Sequence, residues 1–156
     1  MARAPEYRLQ MAVKSYLDMA LPGDVVWYHV PNGEKRDKRT GAKLKAMGVK
    51  AGVPDLAFVL PPAGQAAFIE LKTEDGDQSS NQTAFRLSVR QAGGLEAVAR
   101  SVEEVESVLR RWGVALRATT GAWTHNEARA RKLTDGIRGT TSMGMGQSVK
   151  CSGGGG

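Results

Sequence analysis

Two apolar runs, Asp55–Leu60 and Ala66–Lys72, are separated by only five residues, Pro61-Pro62-Ala63-Gly64-Gln65. Parallel strands need a crossover of roughly a dozen residues or more, so these runs can pair with each other only as an antiparallel hairpin. The first run, Leu56-Ala57-Phe58-Val59-Leu60, is continuously apolar, which marks a strand covered on both faces. The remaining segments must therefore supply layers on either side of it.

The flanking segments are suited to that. Pro5 opens a stretch in which Leu9, Val13, Tyr16, Leu17 and Ala20 recur at helical spacing, and Leu21-Pro22-Gly23 ends it. Val25–Val30 is rich in β-branched and aromatic residues and stops at Pro31-Asn32-Gly33. Residues 34–53 are basic and punctuated by glycine, with a short helix expected over Ala42–Met47. Ser79–Ala92 reads as a helix with Phe85, Val89 and Ala92 on one face, closed by Gly93-Gly94. Leu95–Arg100 reads as a strand, and Ser101 with Glu104 as the capping box of a helix running to Trp112. The order helix, strand, basic segment, strand, strand, helix, strand, helix predicts one α/β domain over residues 1–113, with a central mixed sheet flanked by helices. Residues 114–156 are Thr- and Gly-rich and end in SGGGG; they are expected to form a basic, largely disordered tail with a short helix around Asn126–Leu133.

Length and charge narrow the function classes. A chain of 156 residues has the size of one domain. No run approaches the roughly 20 apolar residues of a membrane span. The N-terminal stretch carries Glu6 and Asp18 and no continuous apolar core, so it does not read as a signal peptide. The single cysteine, Cys151, excludes an internal disulfide and a cysteine-based zinc site, and a cytoplasmic protein is expected. The net charge is +6, unevenly spread: Lys35, Arg36, Lys38, Arg39, Lys43, Lys45 and Lys50 stand against Asp37 alone, and the tail adds +4. The rest of residues 1–113 is near −4. A basic arm beside an acidic remainder suits a protein that attracts phosphates and also holds cations, although a solvated loop has the same composition.

Asp55 directly follows Pro54 and opens the apolar strand, where an unpaired carboxylate is costly. Glu70 and Lys72 lie two residues apart in the second strand, so their side chains share one face while Ile69 and Leu71 take the other. Across the hairpin, Asp55 can approach Glu70. Two carboxylates converging at a sheet end suit a hard divalent cation such as Mg²⁺. A lysine beside them can orient or help deprotonate a water. Cation, nucleophile and charge stabilisation are what phosphodiester hydrolysis needs. The plainer reading is a surface Glu70–Lys72 pair with Asp55 as a turn residue, and a bare E-x-K does not decide between the two.

Taken together, Gly48-Val49-Lys50-Ala51-Gly52-Val53-Pro54-Asp55-Leu56, Phe68-Ile69-Glu70-Leu71-Lys72, Ser79–Gln82 and Ala92-Gly93-Gly94 resemble the VRR-NUC domain, a branch of the PD-(D/E)xK nuclease superfamily with the restriction-endonuclease-like fold. The resemblance runs from about Glu6 to Trp112 and leaves out the tail. It implies Asp55 and Glu70 as metal-binding acids and Lys72 as the catalytic lysine. It further implies Glu6 as a helix acid that completes or tunes the metal site, and Gln82 as an active-site glutamine. Ser79-x-x-Gln82 is also a capping box, and the two roles for Gln82 are compatible. His29 and Asn32, with Gly33, match a His-x-Pro-Asn-Gly-like stretch on the substrate side. The basic residues at 35–50 would contact the nucleic-acid backbone, which positions DNA without reading bases.

The implied activity is that of a Mg²⁺-dependent endodeoxyribonuclease, with Mn²⁺ able to substitute. Its implied substrates are branched DNAs such as four-way junctions in repair or recombination. Relatives of this size imply a homodimer and a phage or prophage source, hence the cytoplasm of a bacterial or phage-infected host cell. Two other readings of the same residues stay open: a nucleic-acid-binding module that does not cleave, and a nuclease subunit of a larger repair or replication complex.

Overall fold

The computed structural model describes residues 5–31, 38–73, 76 and 78–125. In chain order the elements are α1 (Pro5–Ala20), β1 (Val26–His29), α2 (Lys38–Ala46), β2 (Leu56–Leu60), β3 (Gln65–Leu71), α3 (Ser80–Gln91), β4 (Leu95–Ala99) and α4 (Val102–Arg111). The expected hairpin is β2–β3, antiparallel, with Leu56 opposite Ile69 and Leu60 opposite Gln65. β1 adds antiparallel to β2 and β4 adds parallel to β3, so the sheet is mixed, in the order β1-β2-β3-β4. The parallel β3–β4 pair is joined through α3, the helical crossover that parallel pairing requires.

Alternation along the strands sends Leu56 and Phe58 of β2, and Ala67 and Ile69 of β3, to one face, where all four are buried. This face carries the core. α1 contributes Val13, Tyr16, Leu17 and Ala20, and α4 contributes Val102, Val105, Val108 and Leu109, each set at helical spacing. Trp112, just past α4, meets Phe58 edge-on at 6.4 Å between ring centroids. Each large side chain buried here contributes about 1.5–3 kcal/mol. No described helix is long and apolar enough to cross a membrane.

The opposite face is covered by α3, which buries no residue fully. Its half-buried row is Gln82, Phe85, Arg86 and Val89, at i, i+3, i+4 and i+7. Phe85 meets Phe68 of β3 edge-on at 5.7 Å. Arg86 and Arg90 ion-pair with Glu96 of β4, whose side chain is 3% exposed. Burial pushes the Glu96 carboxyl up, but the hydrogen bonds from Arg86 and Arg90 outweigh it and hold it below the usual carboxylate range. The inner face of α3 is thus half polar. Ala92, expected on that face, is instead the exposed C-cap.

Local signals resolve in detail. The Ser79 capping box forms in both directions. The Ser101 box forms in one: Ser101 Oγ accepts from Glu104 N–H at 3.2 Å, while Glu104 Oε2 reaches one residue further back, to Arg100 N–H at 2.7 Å. α2 starts at Lys38, ahead of the expected Ala42.

The folded unit also continues past the expected boundary at Gly113, to Thr120. Val114 is buried, and Arg117 N–H donates to the Ala20 carbonyl at 2.8 Å. Tyr16 Oη donates to the Ala118 carbonyl at 3.2 Å, and Thr120 N–H donates to Glu106 Oε2 at 2.6 Å. These are single contacts to α1 and α4 with no periodicity, so composition alone places the segment in the tail. Residues 121–125, which open a second unit, are helical. The remainder of the expected tail, with the helix around Asn126–Leu133, lies outside the described residues.

A chain ending at Thr120 is expected to melt above one ending at Gly113. Losing these contacts costs about 1–2 kcal/mol, or roughly 3–10 °C for a domain of this size. Equal melting temperatures by calorimetry would show that residues 114–120 add nothing to the fold.

Candidate active site

Continuing the β2–β3 register by one step beyond Leu56 and Ile69 sets Asp55 opposite Glu70 at the end of the hairpin. Directly opposed residues of an antiparallel pair project from the same face, with Cβ atoms about 4.5–5.5 Å apart. Asp55 is held at several points. Its Oδ2 accepts Leu71 N–H at 2.8 Å. Its carbonyl accepts Val30 N–H at 2.8 Å and lies 2.9 Å from His29 Nδ1. Glu70 is only 3% exposed, and its Oε1 receives Lys72 Nζ at 3.1 Å and the Gln82 side-chain amide. The same Gln82 caps α3, its Oε1 accepting Ser79 N–H at 2.8 Å. One side chain therefore ties the start of the helix to the buried acid.

Both carboxyls sit above their ordinary range. For Asp55 the main cause is burial, reinforced by the Glu6 charge and opposed by the Leu71 N–H, His29 and Lys72. For Glu70 burial again comes first and the Asp55 carboxylate second, against the hydrogen bond and charge of Lys72 and the charge of Arg86. Buried like charges at this separation disfavour joint ionisation unless a cation compensates. A surface pair with a turn residue does not match this burial.

Glu6, His29, Asp55, Glu70, Lys72 and Gln82 line a single cavity of about 630 Å³, within the range of roughly 300–1,000 Å³ typical of ligand sites. Tyr7, Gln10 and Asn81 also line it and are not picked out by sequence reasoning. Gln10 follows Glu6 by one helical repeat, a signal that was available; nothing in the pattern points to Tyr7 or Asn81. The three-acid metal site implied by resemblance is not drawn together. Among the described residues no three His, Cys, Asp or Glu side chains cluster closely enough to hold an ion. Glu6 is exposed in the first turn of α1 and acts on Asp55 through its charge.

The donor set still fits a Mg²⁺-type cation. Such an ion takes one or two protein carboxylates and fills its remaining positions with waters and substrate phosphate. Of the basic residues, Arg39 and Lys43 are exposed on α2, while Lys45 and Lys50 line a second cavity of about 710 Å³. Asn32, Lys35 and Arg36, and the side chain of Lys38, lie outside the described residues.

An aspartate opposing a Glu-x-Lys across an antiparallel pair, in a mixed sheet between helices, matches the α/β architecture that the resemblance implies. The VRR-NUC domain model matches residues 6–103, and the chain belongs to that nuclease-type family. A solved structure described as a VRR_NUC domain protein shares the fold at a TM-score of 0.54 and 22% identity, over 71% of this chain and 89% of that one. A second, described as a VRR_NUC domain, has a TM-score of 0.46 and 19% identity, over 69% of this chain and 97% of that one. No curated protein sequence matches the chain.

Proposed function

We propose that this protein is a Mg²⁺-dependent endonuclease that hydrolyses DNA phosphodiester bonds, with a preference for branched DNA. The observation that carries the reading is half-buried Asp55 facing buried Glu70, with both carboxyls raised and Lys72 Nζ 3.1 Å from Glu70, in a cavity large enough for a nucleotide. Asp55 and Glu70 are the residues that would hold the cation, with Mn²⁺ able to substitute. When bound, the cation would lower the pKa of a water and neutralise charge on the phosphodiester.

The chain's own groups do the rest. Leu71 N–H and Gln82 fix the two carboxylates in place before substrate arrives. The Lys72 ammonium orients the attacking water and donates to a phosphoryl oxygen as negative charge accumulates there. His29, bound to the Asp55 carbonyl, lines the same cavity and can donate to a neighbouring phosphate oxygen. Arg39, Lys43, Lys45 and Lys50, on or just past α2, supply cations for the DNA backbone. The branched preference rests on family resemblance, and a homodimer would offer two sites to two strands.

The test is a panel of single strand, duplex, flap and four-way junction incubated with Mg²⁺. Cleavage strongest on the junction is expected. Equal cleavage of all four would remove the structure preference, and no cleavage of any would remove the nuclease reading.

A pH profile adds a second check. Both carboxyls must be ionised to hold a cation, and both titrate above the ordinary range. At subsaturating Mg²⁺, kcat/KM should therefore begin to decline with falling pH above the ordinary carboxylate value of about 4. A flat profile down to that value would contradict the assignment.

A further inference from the structure

The cavity that holds the carboxylates shares two of its lining residues, Gly52 and Asn81, with the second cavity beside α2. Gly52 has φ +80°, and a Cβ there would run into the Asn81 backbone at the start of α3. Only glycine lets the loop after α2 lie this close to α3, so the partition between the cavities is as thin as a backbone allows. Their chemistry is opposite. Among the described residues, Glu6, Asp55 and Glu70 outnumber Lys72 in the first, whereas Lys45 and Lys50 line the second with no described acid beside them. Leu44 and half-exposed Val49 stand with the two lysines. A sugar–phosphate backbone reacting at the carboxylates must leave the first cavity. Phosphates are drawn to cations, and sugars pack on apolar surface. Lys45, in the last turn of α2, also complements the helix dipole, but Lys50 lies beyond the helix and is not explained that way.

We propose that the two cavities form one groove, and that the second takes the DNA backbone on one side of the scissile phosphate, with Lys45 and Lys50 neutralising phosphates and Leu44 and Val49 against the sugars. The proposal rests on the nuclease reading and adds to it a strand path and a one-sided footprint. Asn81, lining both cavities, sits where the phosphate next to the scissile one passes.

The test places single neutral methylphosphonates along the cut strand of a four-way junction. Binding of the full chain is measured in Ca²⁺ and cleavage in Mg²⁺. For the native chain, interference is expected on one side of the cut only. In the double variant Lys45→Gln/Lys50→Gln that interference should disappear. The slope of log affinity against log salt should become shallower by about two. KM should rise roughly tenfold, more than kcat falls, as expected for lost phosphate contacts. Both lysines are exposed, so the melting curve serves as the folding control. Interference spread equally on both sides, or a double variant with native KM and salt slope, would overturn the groove while leaving the nuclease reading intact. Absence of cleavage by the native chain would overturn the reading and the groove with it.

Discussion

Replacing Asp55 with asparagine is expected to abolish cleavage and, at neutral pH, to raise the melting temperature. Asparagine keeps the shape and retains an oxygen to accept the Leu71 N–H, which Asp55 Oδ2 accepts at 2.8 Å. What disappears is a negative charge facing Glu70. Both carboxyls have folded-state values above their ordinary ones. A raised carboxyl contributes stability that is fully present below its unfolded value and is lost as pH rises through its folded value. Ionising the pair as pH rises therefore opposes the fold, and removing one charge relieves the other. The expected gain is roughly 1–4 °C in Tm, the trade between stability and activity common at working sites. The loss of the cation's carboxylate should reduce cleavage by about 10³-fold or more. Calorimetry and a cleavage assay on the same preparation check both. A variant that melts lower and still cuts would make Asp55 a structural turn residue.

Replacing Lys72 with methionine should separate binding of the cation from turnover. Methionine keeps the buried stem and removes the ammonium that lies 3.1 Å from Glu70 Oε1. Turnover is expected to fall about 10²–10⁴-fold, the scale of a positioned proton donor or charge-stabilising group. Affinity for Mn²⁺ should hold or increase, because the ammonium no longer competes with the ion for the Glu70 carboxylate, which keeps its hydrogen bond from Gln82. Without metal the variant should melt lower, since a buried acid has lost its partner, and added Mn²⁺ should restore part of the loss. If affinity and turnover fall together, Lys72 serves to hold Glu70 in place and does not act on the substrate.

The parts of the molecule that follow from short-range periodicity were legible in advance. The five-residue link dictates the hairpin, and alternation by two puts Glu70 and Lys72 on one face with Asp55 opposite. Gln82 was readable as a cap, and its contact with Glu70 follows because the capped end of α3 lies at the carboxylate end of β3. Features held by isolated polar contacts were not legible. Arg86 lies on the inner face of α3 because Glu96 waits on β4, and a search for apolar spacing passes over it. Residues 114–120 join the fold through hydrogen bonds to the Ala20 carbonyl and Glu106, and their composition looks like the tail. Glu6 was expected beside the acid pair, but exposed placement in the first turn of α1 leaves it acting through charge. The basic run was visible as charge, but its division between α2 and the second cavity depends on how Gly52 seats the loop against Asn81.

The most direct measurement incubates the purified full chain with a four-way junction in Mg²⁺, in Mn²⁺ and in EDTA, with the Asp55→Asn variant alongside. Cleavage by the native chain in either metal, none in EDTA and none by the variant is the predicted result. Cutting that persists in EDTA, or that proceeds at the native rate in the Asp55→Asn variant, would contradict a cation held between Asp55 and Glu70 as the basis of activity.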